Sequence, residues 1–458
     1  MPLRLDIKAG GAAWGSAAAI GAIALVALLA GCVDGGLPGV SMFGGAKPTD
    51  PAAIGTNGDE IGLAASDQID RGEHRSTIID DLIARRSVLP ANGPFAQVAL
   101  GVLAANKGAA AAELRVARLK AEAKSKNWLP SIGPSLDLTS LGALAASILV
   151  EQVLFDNGKR KAERAFAAAD VEIAAVGLSS EMNTRVYEGL TYYITAQRAQ
   201  AQAAVSAKGV DRMQSYGNIM SKRVSGGLSD RSEERVILAK IAEMQSYSAA
   251  DQAAATTAMA ELNAMVQVPL TGLSGISSLA PPSALSDPLA VLRAMGEGRR
   301  SVAEAQMARA GFLPSLTASG VLAKGGLTGG LNVSTDNGIG FGTGASLRAI
   351  EASTQAADQR TESARDDANR KIVAIEREIA TLKSREVQGA AVLAQTEANL
   401  EMFTQQYKFG RRPLMELVGM FESFAAMERE HVALKYDMAL LSLQTAKIRG
   451  VLVDGVRM

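Results

Sequence analysis

The strongest constraint on the fold is that the chain repeats itself. Trp128-Leu129-Pro130-Ser131-Ile132 returns as Phe312-Leu313-Pro314-Ser315-Leu316, 184 positions on, and a glycine step at Gly227-Leu228 is answered 183 positions on by Gly410-Arg411. A period this long is not a solenoid unit of roughly 20 to 50 residues but a duplicated half. One plan of elements must therefore serve both halves, taken as 81–270 and 271–458.

In each half the Leu-Pro-Ser step opens a stretch with strand character. Ser135 to Ser140 alternates loosely, and Ala145 to Phe155 is largely apolar and ends in Asp156-Asn157-Gly158, a turn signal. Ser315 to Leu322 and Leu327 to Thr335 repeat the arrangement, with Lys324-Gly325-Gly326 between them and Asp336-Asn337-Gly338 after. Four strands result. A tilted strand of roughly ten residues can cross an outer membrane, but four in one chain cannot close a barrel and leave bare edges, so closure needs more than one copy.

The rest reads as helix. No proline falls between Pro134 and Pro269, between Pro314 and Pro413, or after Pro413, and proline is what would break a helix interior. Hydrophobic residues make up 48% of the chain but aromatics only 4%, so small side chains dominate and close helix-to-helix contact is favoured over a thick globular core. A helix of 67 residues over 158–224 would run about 100 Å at 1.5 Å per residue, with a shorter return over Asp230 to Val268. The second pair spans Gly344 to Phe409 and Pro413 to Val453, and Ile372, Ile375, Ile379 and Leu382 mark its packing face. Helices over Gln97 to Lys126 and Pro288 to Gly311 complete the height of the shorter returns. The fold class is mainly α with a small β part: long antiparallel coiled-coil helices plus four strands.

The turns between these helices are explicit. Gly226-Gly227 stops the first, with Asp230 and Glu233 spaced as a capping box for the next; Gly410 stops the second pair's outgoing helix, and Pro413 suits a first helical turn.

At the N-terminus, Arg4 and Lys8 precede an apolar run from about Ala17 to Ala30, too short for a permanent span and placed like a secretory signal peptide, 1–31. It ends Leu29-Ala30-Gly31-Cys32, which resembles the lipobox of bacterial lipoproteins, and Cys32 is the sole cysteine. That resemblance implies lipidation, palmitate included, at Cys32, and Val33 after it points to the outer membrane. Residues 32–80 are then lipid anchor and flexible linker, rich in Gly, Pro, Asp and Ser up to about Leu63.

Charge and chemistry exclude other classes. With 47 Lys+Arg against 47 Asp+Glu there is no net charge to attract nucleic acid. One Cys and two distant His, His74 and His431, give no disulfide framework and no metal site. Each His follows a Glu, yet adjacent helical residues point apart, and solvated surface is the expected home of both. No nucleophile constellation or phosphate loop appears, so the chain reads as no enzyme and as needing no cofactor.

The duplicated plan of two strands and a long helical hairpin, the Leu-Pro-Ser steps, the phrase Gln152-Val153-Leu154-Phe155-Asp156-Asn157-Gly158-Lys159-Arg160 and the two glycine tips resemble the TolC-like outer-membrane efflux proteins, over roughly Leu82 to Val453. The resemblance implies a homotrimer with a 12-stranded β-barrel in the outer membrane and a helical cylinder crossing the periplasm. It implies a periplasmic adaptor and an inner-membrane pump as partners, in efflux or type I secretion, with no nucleic acid. It maps adaptor docking to Gly227, Leu228, Ser229 and Gly410, Gly226 being an extra residue. It also maps an entrance gate to Glu233, where the family acid is usually Asp, and to Tyr407, Arg412 and Glu416; a second ring acid is replaced by Gly419. The competing reading is a lipid-anchored periplasmic coiled-coil adaptor or scaffold without a pore, which would need no membrane-height strands.

Overall fold

The computed structural model describes residues 76–138, 144–280, 286–323, 326–338 and 340–457. The signal peptide, Cys32, His74 and all but the last five residues of the expected linker lie outside them.

Eight helices and four strands follow in the order α1 Thr77–Ala84, α2 Pro94–Ala104, α3 Ala109–Ser125, β1 Ser131–Leu138, β2 Leu144–Phe155, α4 Lys159–Ser225, α5 Arg231–Ala264, α6 Leu289–Ala310, β3 Ser315–Ala323, β4 Gly326–Ser334, α7 Thr343–Lys408 and α8 Leu414–Arg449. The duplication is thus structural: each Leu-Pro-Ser step joins a helix to the first strand of its hairpin. The expected helix Gln97 to Lys126 is two helices. Asn106 accepts a hydrogen bond from the Gly108 amide at 3.3 Å, and Gly108 turns left-handed at φ 70°, so α3 starts afresh.

The strands form one antiparallel sheet in the order β1-β2-β3-β4, with β2 of the first half pairing β3 of the second. Ile148 faces Leu322 across that seam in register, and a bulge interrupts it between Val153 and Phe155. Only Thr317 of its described side chains is buried, and Ile132, Leu331 and Val333 lie open. Neither β1 nor β4 has a second strand partner among the described residues. Twelve residues tilted by about 40° give β2 a height of about 30 Å.

Where sheet meets helices, two contacts join the halves: Asn157 donates to the Pro314 carbonyl at 2.8 Å and Lys159 pairs with Asp336. Within the first half, Arg160 donates to the Asn127 carbonyl. Asp156 accepts from the amides of Gly158 and Arg160 at 3.0 and 2.8 Å, which starts α4.

Two apolar cores flank α4. The larger lies toward the sheet, where Phe95, Val98 and Val102 of α2, Leu190, Tyr193 and Ile194 of α4, and Leu262 of α5 meet Leu443 of α8. Gly189 marks the point at which α2 hands over to α5 as the neighbour of α4, with Val98, Val102 and Leu262 all against it. The end of the described chain is built into this core: Val88 N–H donates to Val451 O, Gly455 N–H donates to Arg85 O, and Leu452 N–H donates to the buried Asn183 at 2.8 Å. The smaller core lies toward the tips and joins both hairpins, with Met213, Met220, Ile237, Leu400, Leu417 and Phe421. Ile372 and Ile375 of α7 are buried as their spacing requires.

His431 does not sit on a solvated surface. Its ring is half-buried between α7 and α8, with Nε2 2.9 Å from the Glu386 carbonyl, and a β-carbon on Gly389 would come within 2.9 Å of it. The small residue at position 389 leaves room for the imidazole, which the charged residues around it concealed.

Candidate functional site at the helical tips

Both tips are the same backbone device. After α4, Gly227 is left-handed at φ 74°, its amide donates to Val224 O at 3.1 Å, and the Leu228 amide donates to Arg223 O at 2.8 Å. After α7, Gly410 is left-handed at φ 69°, its amide donates to Tyr407 O, and the Arg411 amide donates to Gln406 O, both at 2.9 Å. These are the paired bonds of a Schellman stop, in which a side chain at the left-handed position is disfavoured. They fix the equivalence of Gly227 with Gly410. Gly226, at φ −82°, answers Phe409 and does not shift the register.

The side chains of the two tips use that geometry in opposite senses. In the first, Arg223 Nε donates to Ser229 Oγ at 3.0 Å. In the second, the equivalent positions exchange roles: Arg412 Nε donates to Gln406 Oε1 at 2.6 Å. The 183-residue offset maps Arg223 onto Gln406 and Ser229 onto Arg412, so the sequence carried the signal for Gln406.

Arg412 is held on three sides. Besides Gln406, it donates from Nη1 to Glu416 Oε2 at 2.6 Å, one helical turn ahead, and its guanidinium lies 4.0 Å from the centroid of Phe403. Tyr407 packs half-buried against the tip core. Of the four gate residues named from sequence, Arg412 and Glu416 are therefore joined and Tyr407 is near neighbour to their helix. Glu233 stands apart on the first hairpin, and no hydrogen bond or ion pair links it to Tyr407 or Arg412 among the described residues. The N-cap bond that starts α5 is donated to Asp230 by the Ser232 amide, at 3.2 Å, rather than by the Glu233 amide. That amide bond is the main cause that keeps the Asp230 carboxyl below the usual range.

Leu228 and Phe409 project into solvent at the two tips, 71% and 76% exposed among the described residues. Cations crowd the second tip, with Lys408, Arg411 and Arg412 against Glu416. Chemically the tips offer backbone carbonyls, an apolar knob each and unequal charge; no group of three or more His, Cys, Asp or Glu is placed to hold a metal among the described residues. No helix there is long and apolar enough to cross a membrane.

Neither a family model nor a curated protein matches the sequence. Solved structures do match the fold. The outer-membrane channel OprN aligns over 89% of this chain and 98% of its own at a TM-score of 0.68 with 16% identity. The open state of the MtrE outer-membrane channel of Neisseria gonorrhoeae aligns over 84% and 95% at 0.66, also with 16% identity. The outer-membrane protein VceC of Vibrio cholerae aligns over 78% and 96% at 0.65 with 15% identity. The chain has the fold of these TolC-like outer-membrane channels.

Proposed function

We propose that this chain is one subunit of a duct across the outer membrane and periplasm. Three copies close a 12-stranded barrel from three four-stranded sheets, and their hairpins form the periplasmic tube. The single observation that carries the reading is the sheet: a meander of membrane height, open at both edges among the described residues, with one apolar face that Ile132, Ile148, Leu322 and Leu331 share, joined to helices of about 100 Å. Such a sheet counts against the pore-less adaptor or scaffold reading, in which nothing would cover its edges. The unequal burial of the outgoing helices supports assembly. α4 buries 24 residues and α7, of nearly equal length, buries five, leaving Val387, Val392 and Met402 open along it.

In this reading the duct has no catalytic chemistry or cofactor. Cys32 carries the lipid anchor at the outer membrane. The tips, Gly227, Leu228, Ser229 and Gly410, receive a periplasmic adaptor coupled to an inner-membrane pump, in efflux or type I secretion. Glu233, Tyr407, Arg412 and Glu416 govern the entrance.

The test is the full-length protein extracted in mild detergent. Its native mass should be that of three lipidated copies, and in planar bilayers it should conduct ions, with Arg412→Ser raising the conductance. A lone or paired subunit that conducts nothing would overturn the duct.

A further inference from the structure

The two hairpins of one chain are joined by charges as well as by apolar contact. Glu422, Arg429 and Asp437 of α8 lie seven and eight residues apart, about two helical turns each, and so fall along one side of the helix. Each meets an opposite charge on the first hairpin. Lys240 reaches Glu422 at 2.5 Å, Asp251 accepts two bonds from Arg429 at 2.6 and 3.0 Å, and Arg198 reaches Asp437 at 2.8 Å. The signs alternate on both sides, minus, plus, minus on α8 against plus, minus, plus. Sliding α8 by one rung, about 11 Å, would set Arg429 on Lys240 and Asp437 on Asp251. The hairpins can therefore part but cannot slip.

The rungs are not equal. The Asp251 side chain is only 10% exposed and its fork to Arg429 is bidentate, with the guanidinium also 5.7 Å from the Tyr247 ring centroid. Gln202 of α4 adds a bond to the Arg429 carbonyl at 3.3 Å. The Lys240–Glu422 rung, nearer the tip, is about a third exposed on both sides. A polar relay connects the two: Lys240 also reaches Glu243 at 3.2 Å, and Tyr247 OH donates to Glu243 at 3.0 Å. These partners hold the Lys240 ammonium above, and the Glu243 carboxyl below, their ordinary ranges, Glu422 and Tyr247 being the respective first causes.

We propose that Lys240 and Glu422 are gate-positioning residues, a rung that parts when the tip opens, and that Asp251 with Arg429 is the pivot at which the parting stops. The inference rests on the duct reading. It places the moving segment of α8 between Leu414 and about Met427, on the tip side of the Asp251–Arg429 fork.

The experiment uses the full-length assembly with Lys240→Gln, Glu422→Gln and the double variant, read by bilayer conductance and by amide hydrogen exchange along α8. Each single change should raise the open fraction, and exchange from Leu414 to Met427, by about fivefold, the size of one partly exposed ion pair. The double should do no more than the larger single effect, because both remove one interaction. Exchange from Met438 to Arg449 should stay at the wild-type rate, and Asp251→Asn should carry the acceleration past position 429. Singles that match wild type in both readouts, singles whose effects multiply, or acceleration along all of α8 would each overturn the proposal. A wild-type assembly that fails to conduct would overturn the duct alone, since exchange still reports the rungs.

Discussion

Arg85 offers the sharpest test of how the halves are held together. Its guanidinium is buried and spends its donors on three separate segments: Asp81 of α1 at 2.6 and 3.1 Å, the Arg449 carbonyl at the end of α8 at 2.5 Å, and the Asp287 carbonyl before α6 at 2.7 Å. Arg85→Met keeps much of the apolar stem but leaves two inward carbonyls without donors, whereas Asp81, a third exposed, can turn to water. Hydrogen bonds to a charged group contribute about 1.5–3 kcal/mol each, and removing one partner of a buried ionic arrangement costs about 3–5 kcal/mol. A loss of about 4 kcal/mol in the local opening of the 451–455 segment should speed its amide exchange by roughly a thousandfold. The amides to follow are Val88 and Gly455, whose bonds to Val451 O and Arg85 O close the clasp. Arg86→Met, an exposed neighbour, is the control and should change little. Exchange at Val88 and Gly455 within about threefold of wild type would refute the reasoning.

The tips and the main core give two further tests. Gly227→Ala forces a side chain into the left-handed region and should weaken the end of α4 by about 1 kcal/mol, while Gly226→Ala, at φ −82°, should be nearly neutral; exchange at Gly227 and Leu228 distinguishes them. Burial, helped by Tyr436, pushes the Tyr193 phenol up to about 12, and its OH donates to the Gly275 carbonyl at 2.8 Å. An unfolded tyrosine ionises near about 10, so this contribution to stability is complete below that pH and is lost as pH rises toward 12. Tyr193→Phe should remove that part of the alkaline destabilisation, and an unchanged pH profile of unfolding would count against it.

The long elements were legible because their punctuation is local. The expected helix over 158–224 and the observed Lys159–Ser225 differ by one residue at each end, since glycine and proline act on their own backbone. The strands followed from the Leu-Pro-Ser steps and the turn signals. The break at Gly108 was missed because a helical pattern on both sides outweighed one Asx turn. Arg85 could not be read at all: its partners at Asp287 and Arg449 are 202 and 364 positions away. The rungs Lys240–Glu422 and Asp251–Arg429 were illegible for a related reason. Charges spread along a helix look solvated until a second helix fixes their register. At the proposed gate, Arg412 and Glu416 were named through the family resemblance, without their mutual contact; Phe403 was not named at all, because an aromatic within a helix reads as core.

The two tips share a main-chain shape and differ in which side gives the proton, Arg223 to Ser229 in one and Arg412 to Gln406 in the other. A visitor that grips only carbonyls and amides would find two equal seats on every subunit. One that reads charge or the knobs of Leu228 and Phe409 would find a single preferred seat. The number of visitors per subunit, two or one, is thus decided by side chains that leave the loop conformation untouched, and stoichiometry can change without any change of fold.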